Sequence, residues 1–119
     1  MKKQLWIITF VVVFFSTAFT STNQLLPTSL QITVRNDLGN PVPEALILLY
    51  ATEDDYENGE NAVTDSMYTN QKGQARIKDL HPMSYFIDVK KDDLSNDGGG
   101  VKLKRLDKGK LNKVTVIIQ

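Results

Sequence analysis

The sequence predicts an all-β domain, a sandwich of two antiparallel sheets built from about seven short strands. The first observation is that several short segments after residue 18 alternate apolar and polar residues, which is typical of half-buried strands. The second is that turn signals rich in Gly, Pro, Asn and Asp separate these segments, and the third is that none of them has helical periodicity. Short strands at such spacing favour a sandwich over other all-β folds.

Residues 1–18 predict a secretory signal peptide. They contain two lysines, an apolar run over residues 5–15 that only Thr9 interrupts, and then small residues ending at Ala18. The run is shorter than the ~20 residues that span a membrane. We therefore expect cleavage after Ala18, with an uncleaved anchor as the alternative. Residues 19–28 are predicted to be a flexible leader, and residues 29–119 the domain.

Composition narrows the class of protein further. The chain has 119 residues and no cysteine, which excludes a bacterial lipoprotein anchor and disulfides. The absence of an Asn-X-Ser/Thr sequon favours a bacterial periplasm or cell surface. The formal net charge is zero, so no global field indicates nucleic acid. Acidic residues nevertheless concentrate in residues 53–65 and basic residues in residues 102–113, which predicts two loops or edges of opposite sign.

The segment from Val34 to Tyr50 is the one on which the predicted fold depends. Residues 30–35 alternate apolar and polar side chains and predict the first strand. A dense turn cluster follows at residues 36–41. Residues 44–52 are apolar on both faces, which predicts a central strand with cover on two sides. We expect this strand to pair with the first one through the turn.

The remaining strands are weaker or shorter. We predict exposed loops at residues 53–61 and 91–100, where apolar periodicity is missing and acidic residues and glycines are frequent. Alternation predicts the other strands at residues 62–69, 74–79, 85–90, 101–106 and 114–118, with a bulge or an early end of the fourth of these near Arg105.

Four segments resemble the carboxypeptidase regulatory-like domains, also called transthyretin-like or collagen-adhesin B-type domains, of exported bacterial proteins. They carry D-x-G-x-P-V-x-x-A from Asp37, T-x-x-x-G ending at Gly73, L-x-P-x-x-Y ending at Tyr85, and an apolar segment at residues 48–52. The resemblance implies a sandwich that serves as a spacer, an accessory domain or an adhesive module. It also places Gly39 and Gly73 in turns and the Tyr85 ring in the core, with its hydroxyl near a chain corner.

Two functional subtypes of this fold can be compared with the sequence. Adhesin domains with an isopeptide bond use a lysine on the first strand, but Arg35 stands there and no lysine occurs between Lys3 and Lys72. The resemblance therefore implies no such crosslink. The transthyretin-like hydrolases use several histidines and end in Tyr-Arg-Gly-Ser, whereas this chain has only His81 and ends in Val-Ile-Ile-Gln.

Candidate chemistry in the sequence is sparse. His81 precedes Pro82 in a turn and is expected to be solvated, and a nucleophile elbow of the Gly-X-Ser-X-Gly type is missing. The three glycines at residues 98–100 could suggest a phosphate cradle, but no predicted helix follows them. We predict no catalytic, cofactor-binding or metal-binding residue and no cofactor.

Calcium in the acidic loops is the alternative that deserves comparison. Asp93, Ser95, Asp97 and Gly98 match the first half of an EF-hand loop, but Lys104 stands where the bidentate Glu should be. The other acidic loop offers four carboxylates without the Asp-X-Asp spacing: Asp54, Asp55, Glu57 and Glu60. We expect both loops, residues 53–61 and 92–97, to be solvated.

Two function classes remain after these comparisons. The first is a non-enzymatic extracytoplasmic module that contacts an envelope or extracellular protein or a glycan, with no nucleic acid and no stable membrane span after signal cleavage. The alternative is a carbohydrate- or small-ligand-binding domain that uses Tyr50, Tyr56 and Tyr68 as aromatic surfaces. Trp6 leaves with the signal peptide, which weakens this alternative. The sequence does not define the partner or the oligomeric state.

Overall fold

A computed structural model describes residues 26–119, so the predicted signal peptide and most of the predicted leader lie outside the described residues. The described part contains one short helix, α1 (Glu53–Asn58), and seven strands. No helix within residues 26–119 is long and apolar enough to cross a membrane. The strands are β1 (Ser29–Asn36), β2 (Leu46–Tyr50), β3 (Met67–Tyr68), β4 (Gln74–Ile77), β5 (Phe86–Lys91), β6 (Leu94–Ser95) and β7 (Leu111–Ile118).

The strands form two sheets, which confirms the predicted all-β sandwich. Sheet A has the order β4-β1-β7 and sheet B the order β3-β2-β5-β6. One pair differs from the fully antiparallel prediction, because β1 and β7 run parallel from Ser29 opposite Leu111 to Asn36 opposite Ile118. A parallel partner cannot be reached by a tight turn. The first and last strands of the domain can pair in this way because the rest of the chain connects them.

The core lies between the two sheets and is filled by the apolar positions of the alternating strands. None of the following side chains is more than 5% exposed: Leu30, Ile32 and Val34 of β1, Ile47 and Leu49 of β2, Ile87 and Val89 of β5, and Val116 and Ile118 of β7. Because successive side chains point to opposite faces of a strand, these residues define the inner face of each sheet.

Strand β2 is central in sheet B, as its apolar sequence predicts. It lies between β3 and β5, and its inner residues Ile47 and Leu49 are fully buried. On the outer face Tyr50 is only 3% exposed, and the ring of Tyr56 in α1 packs edge-on against it at a centroid distance of 6.0 Å. Leu48 on the same face is half-buried. The second layer over β2 is therefore the short helix α1, which covers its C-terminal end.

The prediction that β1 and β2 form a hairpin is wrong. The turn itself forms, with the Asn36 side-chain oxygen accepting the N–H groups of Leu38 and Asn40, each at 3.0 Å. The returning chain makes only an isolated bridge between Arg35 and Pro41 and then crosses to sheet B. Alternation indicates which face of a strand is buried but not which strand lies beside it, so the sequence pattern could not distinguish the two arrangements.

The predicted loop over residues 53–61 is also wrong, because it contains α1. The Thr52 side chain accepts the N–H of Asp55 at 3.1 Å and caps the helix, and the first turn is acidic. Gly59 ends the helix in the left-handed conformation with φ 68°. A hydroxyl cap, early carboxylates and a terminal glycine are helix signals in their own right. These signals did not lead to a helix prediction, because residues 53–58 have no apolar stripe with helical periodicity.

Several strand bounds need correction. The strand predicted at residues 62–69 shrinks to β3, and the loop predicted at residues 91–100 includes β6. The chain at residues 101–106 is not a regular strand, although it follows the edge of β5, where Val101 accepts the N–H of Ile87 at 2.8 Å. Leu103 and Leu106 are both buried, which an alternating strand could not achieve from that spacing. Strand β7 begins before the predicted residue 114.

The corner predicted at Tyr85 is confirmed. Its ring is 2% exposed, and its hydroxyl both accepts the N–H of His81 and donates to the His81 carbonyl, each at 3.0 Å. Burial raises the pKa of this phenol above its ordinary value. The turn glycines Gly39 and Gly73 have φ of 87° and 72°, as expected.

Candidate functional site

A cleft of about 660 Å³ runs along the open side of the sandwich. It lies between β7, the last strand of sheet A, and residues 100–107, which follow the edge of sheet B. We call it the edge cleft. Its apolar lining comes from Leu30, Leu103, Leu106, Leu111, Val114 and Val116. Val114 has the core-facing register of β7 and yet is only half-buried, because the cleft opens beside it.

The edge cleft is strongly basic. It is lined by five cationic side chains, Lys102, Lys104, Arg105, Lys110 and Lys113, and by one acidic side chain, Asp107. The Asp107 carboxylate lies 3.2 Å from the Lys110 ammonium and neutralises that charge. Within residues 26–119, no carboxylate lies within 4.0 Å of the other four cations. The predicted basic segment at residues 102–113 is therefore gathered into one cleft, except for Lys108, which does not line it.

Strand β7 presents an unpaired backbone edge to this cleft. Ser29 lies opposite Leu111 and donates its N–H to the Lys110 carbonyl at 3.1 Å, which fixes the phase of the parallel ladder. In that phase Lys113, Thr115 and Ile117 direct their N–H and C=O groups away from β1. None of these backbone groups has a hydrogen-bond partner among residues 26–119.

The edge of β7 is paired only at its end. Gln119, just beyond β7, exchanges two backbone hydrogen bonds with Ser95 of β6, at 3.0 and 3.3 Å. This is the mutual pattern of an antiparallel pair. It shows that a chain lying alongside this edge in the antiparallel direction meets suitable backbone geometry, and it ties sheet A to sheet B at one end of the cleft.

A second cluster, aromatic and acidic, lies on the outer face of sheet B under α1. The Tyr56 hydroxyl donates to the Asp97 carboxylate at 3.2 Å, so the structure brings the two predicted acidic loops together at this point. The Tyr56 ring lies 6.3 Å from the Phe86 ring. Burial raises the pKa of Tyr56 to about 12, and the bond to Asp97 together with the nearby Asp88 and Glu57 carboxylates adds to the rise.

The charges around Phe86 are held by local partners. Lys102 places its ammonium 5.9 Å from the centre of the Phe86 ring, a cation–π contact. One Asp88 oxygen lies 3.6 Å from the Lys90 ammonium, and the other is buried without a hydrogen-bond partner in the described residues. This cluster attaches α1 to the sheet, and its aromatic rings face each other rather than solvent.

The structure scatters the residues that the sequence singled out for calcium. The Ser95 hydroxyl accepts the N–H of Asp97 at 3.3 Å within the tight connection after β6. Asp55 accepts from the side chain of Asn61 at 3.2 Å inside the α1 region. Across residues 26–119, no group of three or more His, Asp or Glu side chains is arranged to hold a metal ion. No observation in this part of the chain favours a calcium site.

The other candidates also lie apart from one another. His81 is exposed, and its hydrogen bonds are made by its backbone, to the Tyr85 hydroxyl and to the N–H of Met83. The glycines at residues 98–100 follow β6 and precede no helix. Among the predicted aromatic surfaces, Tyr50 is buried, Tyr56 is half-buried and bound to Asp97, and Tyr68 is 63% exposed. They form no shared platform, and Trp6 lies outside the described residues.

Sequence reasoning missed Asn96, the most buried polar residue of the described chain at 1% exposure. Its side-chain oxygen accepts the N–H of Val89 at 2.9 Å, and its amide donates to the carbonyls of Ile87 at 2.9 Å and Gly100 at 3.2 Å. The side chain thus takes the place of a neighbouring strand for the edge of β5. The only sequence signal was an Asn between acidic residues in a turn, which is equally typical of a solvated loop.

No protein-family model and no curated protein matches the chain by sequence. Solved structures do match the fold. An ancillary pilin of Streptococcus matches with a TM-score of 0.60 at 14% identity over 83% of this chain, and GBS52, the minor pilin of Streptococcus agalactiae, with 0.57 at 17% over 79%. Hydroxyquinol 1,2-dioxygenase from Pseudomonas putida matches with 0.51 at 9% over 82% of this chain and 58% of its own.

These likenesses establish the β-sandwich and no more, because each identity is below 20%. The chain spans 34% and 44% of the two pilin chains, less than half of either. Pilins and a dioxygenase share the same sandwich, so the fold by itself does not select a function. Membership of the carboxypeptidase regulatory-like family remains a prediction.

Proposed function

We propose that the chain is a non-enzymatic β-sandwich module that acts outside the cytoplasm by contact with a protein or another component of the cell envelope. The edge cleft is the observation that carries this proposal. It combines an unpaired strand edge, an apolar floor and four cations without local acidic partners. Such a surface suits docking of a partner. The likeness to two pilin domains agrees with a module of this kind. Because a dioxygenase has a similar fold, the support for the proposal comes from the cleft and not from the fold.

The placement of the module follows from the sequence. We propose that residues 1–18 are cleaved, that residues 19–28 lead to the domain at residues 29–119, and that the domain resides in the periplasm or at the cell surface. Intact mass spectrometry of the exported protein tests this, since the mass should equal that of residues 19–119. The mass should show no loss of ammonia, because an isopeptide crosslink is not expected. A chain that retains Met1 would contradict cleavage.

Site-specific photo-crosslinking tests the function itself. A photoreactive phenylalanine in place of Thr115 lies at the mouth of the edge cleft, and the same residue in place of Lys78 lies beside β4, at the opposite edge of sheet A. In cells that make this protein, we expect the Thr115 probe to form a discrete crosslinked species with an envelope component, while the Lys78 probe does not. Equal yields of the same species from both positions, or none from either, would refute the proposal.

A further inference from the structure

The unpaired edge of β7 determines what the edge cleft can bind. Buried N–H and C=O groups cost free energy unless they are hydrogen-bonded, so an occupant of the cleft has to satisfy Lys113 and Thr115, which line it. Those groups recur at every second residue of β7. The N–H and C=O groups on one side of another extended polypeptide have the same spacing. A folded surface or a sugar does not offer this repeat. The occupant that satisfies the edge is an added β-strand.

The walls of the cleft determine the side chains of that strand. One face of an added strand would turn towards the half-buried side chain of Val114, behind which the core residues Leu30 and Leu103 form an apolar floor. The other face would stay at the rim, near the cations of Lys104 and Lys113, neither of which has a carboxylate partner within residues 26–119. Alternation of apolar and acidic residues matches both faces at once.

The same charges argue against a second copy of this chain as the occupant. Pairing two β7 edges would bring the basic residues 102–105 of both copies to one interface. Like charges facing each other across an interface are unfavourable. Lysines at a strand edge are a known defence against such self-pairing. The charges therefore disfavour pairing between the β7 edges of two copies and favour pairing of β7 with an acidic strand.

We propose that the edge cleft binds an extended acidic segment of another protein by strand addition to β7, with carboxylates and apolar side chains alternating along that segment. This inference rests on the proposed function and specifies the partner that the cleft selects. The bound segment adds a fourth strand to sheet A and closes the open side of the sandwich. Its length is limited by the Gln119–Ser95 pair at one end of the cleft.

A synthetic peptide of alternating Glu and Val, labelled for fluorescence anisotropy, tests the proposal on the mature protein. Two N-methylated versions are matched controls, one methylated on every Glu amide and the other on every Val amide. In a strand, alternate N–H groups point to opposite sides, so one version loses the hydrogen bonds to β7 and the other keeps them. We expect one methylated peptide to lose binding and the other to bind like the parent. Equal binding by both would overturn strand addition.

Charge reversal tests the acidic preference. We expect Lys104→Glu with Lys113→Glu to weaken peptide binding at least about tenfold. The matched pair, Lys72→Glu with Lys78→Glu, reverses two exposed lysines outside the cleft and should leave affinity unchanged. Equal loss in both variants would show non-specific attraction and overturn the proposal. Thermal unfolding of each variant confirms that it is folded, and the methylated peptides test the unaltered protein independently.

Three further outcomes would also overturn the inference. These are absence of peptide binding, tighter binding of an acidic polysaccharide such as polygalacturonate than of the peptide, and concentration-dependent self-association of the free protein through β7 in sedimentation. Any of these outcomes would contradict the proposal that an acidic segment binds by strand addition. If the Thr115 photo-probe still captures an envelope component in such a case, the proposed module function stands without this partner class.

Discussion

Replacing Asn96 with alanine should destabilise the domain far more than an exposed asparagine would. Asn96 is 1% exposed and makes three hydrogen bonds, one to the N–H of Val89 and two to the carbonyls of Ile87 and Gly100. A methyl group can make none of them. The change therefore leaves an N–H and a carbonyl of β5 without partners at a position where water has little access.

The magnitude follows from those three bonds. Each intramolecular hydrogen bond contributes about 0.5–1.5 kcal/mol, and an orphaned buried group costs about 1–3 kcal/mol. We therefore expect Asn96→Ala to lower the free energy of unfolding by about 3 kcal/mol. With a urea m-value of about 2 kcal/mol/M, the midpoint of unfolding falls by about 1.5 M. The melting temperature should fall by more than about 10 °C.

Urea unfolding followed by circular dichroism measures this loss. Asn58→Ala is the control, because Asn58 is exposed at the end of α1 and its substitution should change stability by less than about 0.5 kcal/mol. A loss below about 1 kcal/mol for Asn96→Ala would refute the strand-replacing role of this side chain.

A second substitution at the same position tests the hydrogen-bonding role of Asn96 through the pH dependence of stability. Asn96→Asp keeps the acceptor for Val89 but turns a carboxylate oxygen towards the carbonyls of Ile87 and Gly100. Repulsion raises the folded-state pKa of the new carboxyl above its unfolded value of about 3.9. Stability is then greatest below pH 3.9 for this group and is lost as pH rises through the folded pKa. A variant with the pH dependence of the wild type would contradict the hydrogen-bond geometry.

Three other substitutions test separate features of the fold. Tyr85→Phe removes both corner hydrogen bonds and should cost about 1–2 kcal/mol in urea unfolding, whereas Tyr68→Phe, at 63% exposure, should cost less than about 0.5 kcal/mol. Burial raises the pKa of Tyr56 from 10.0 to about 12, so the stability that its neutral form contributes is present below pH 10 and is lost as pH rises through the folded pKa. Tyr56→Phe should flatten that loss in an alkaline melting series, and an unchanged slope would count against the buried phenol. Gly73→Ala would place a Cβ 2.7 Å from the Val34 carbonyl oxygen at φ 72° and should destabilise strongly, while Gly98→Ala meets open space and should be neutral in thermal unfolding.

The parts of the fold that could be predicted are those where burial follows a period of two. Strands β1, β5 and the end of β7 alternate clearly, and β2 is apolar on both faces, so their existence and the central place of β2 followed from the residues. The partner of each strand did not, because a side-chain pattern contains no information about the neighbouring backbone. This is why β1 was assigned to β2 rather than to β7.

The positive charge of the candidate site could be predicted from the sequence, but its shape could not. The basic residues 102–113 were visible as a cluster, but their gathering around an open strand edge depends on residues 100–107 leaving the regular sheet. That departure arises because Leu103 and Leu106 are both drawn into the core at a spacing that a strand cannot satisfy. Asn96 was invisible for a related reason, since its three partners are backbone groups that become neighbours only after β5 and β6 have formed.

The other sheet edges show why the open edge of β7 is informative. Strands β3 and β4 end their sheets with only two and four residues, and short edges offer little to an approaching chain. The edge of β5 is occupied by Asn96 and by the N–H of Leu103, which donates to the Tyr85 carbonyl at 2.8 Å. Strand β7 has eight residues and lacks any such cover in the described part of the chain. A long open edge invites pairing with any extended chain, and the cations beside it restrict that pairing to acidic ones. If the cations served only to prevent pairing, glutamates in their place would prevent it equally well. The acidic peptide would then bind the wild type no more tightly than the variant with Lys104→Glu and Lys113→Glu.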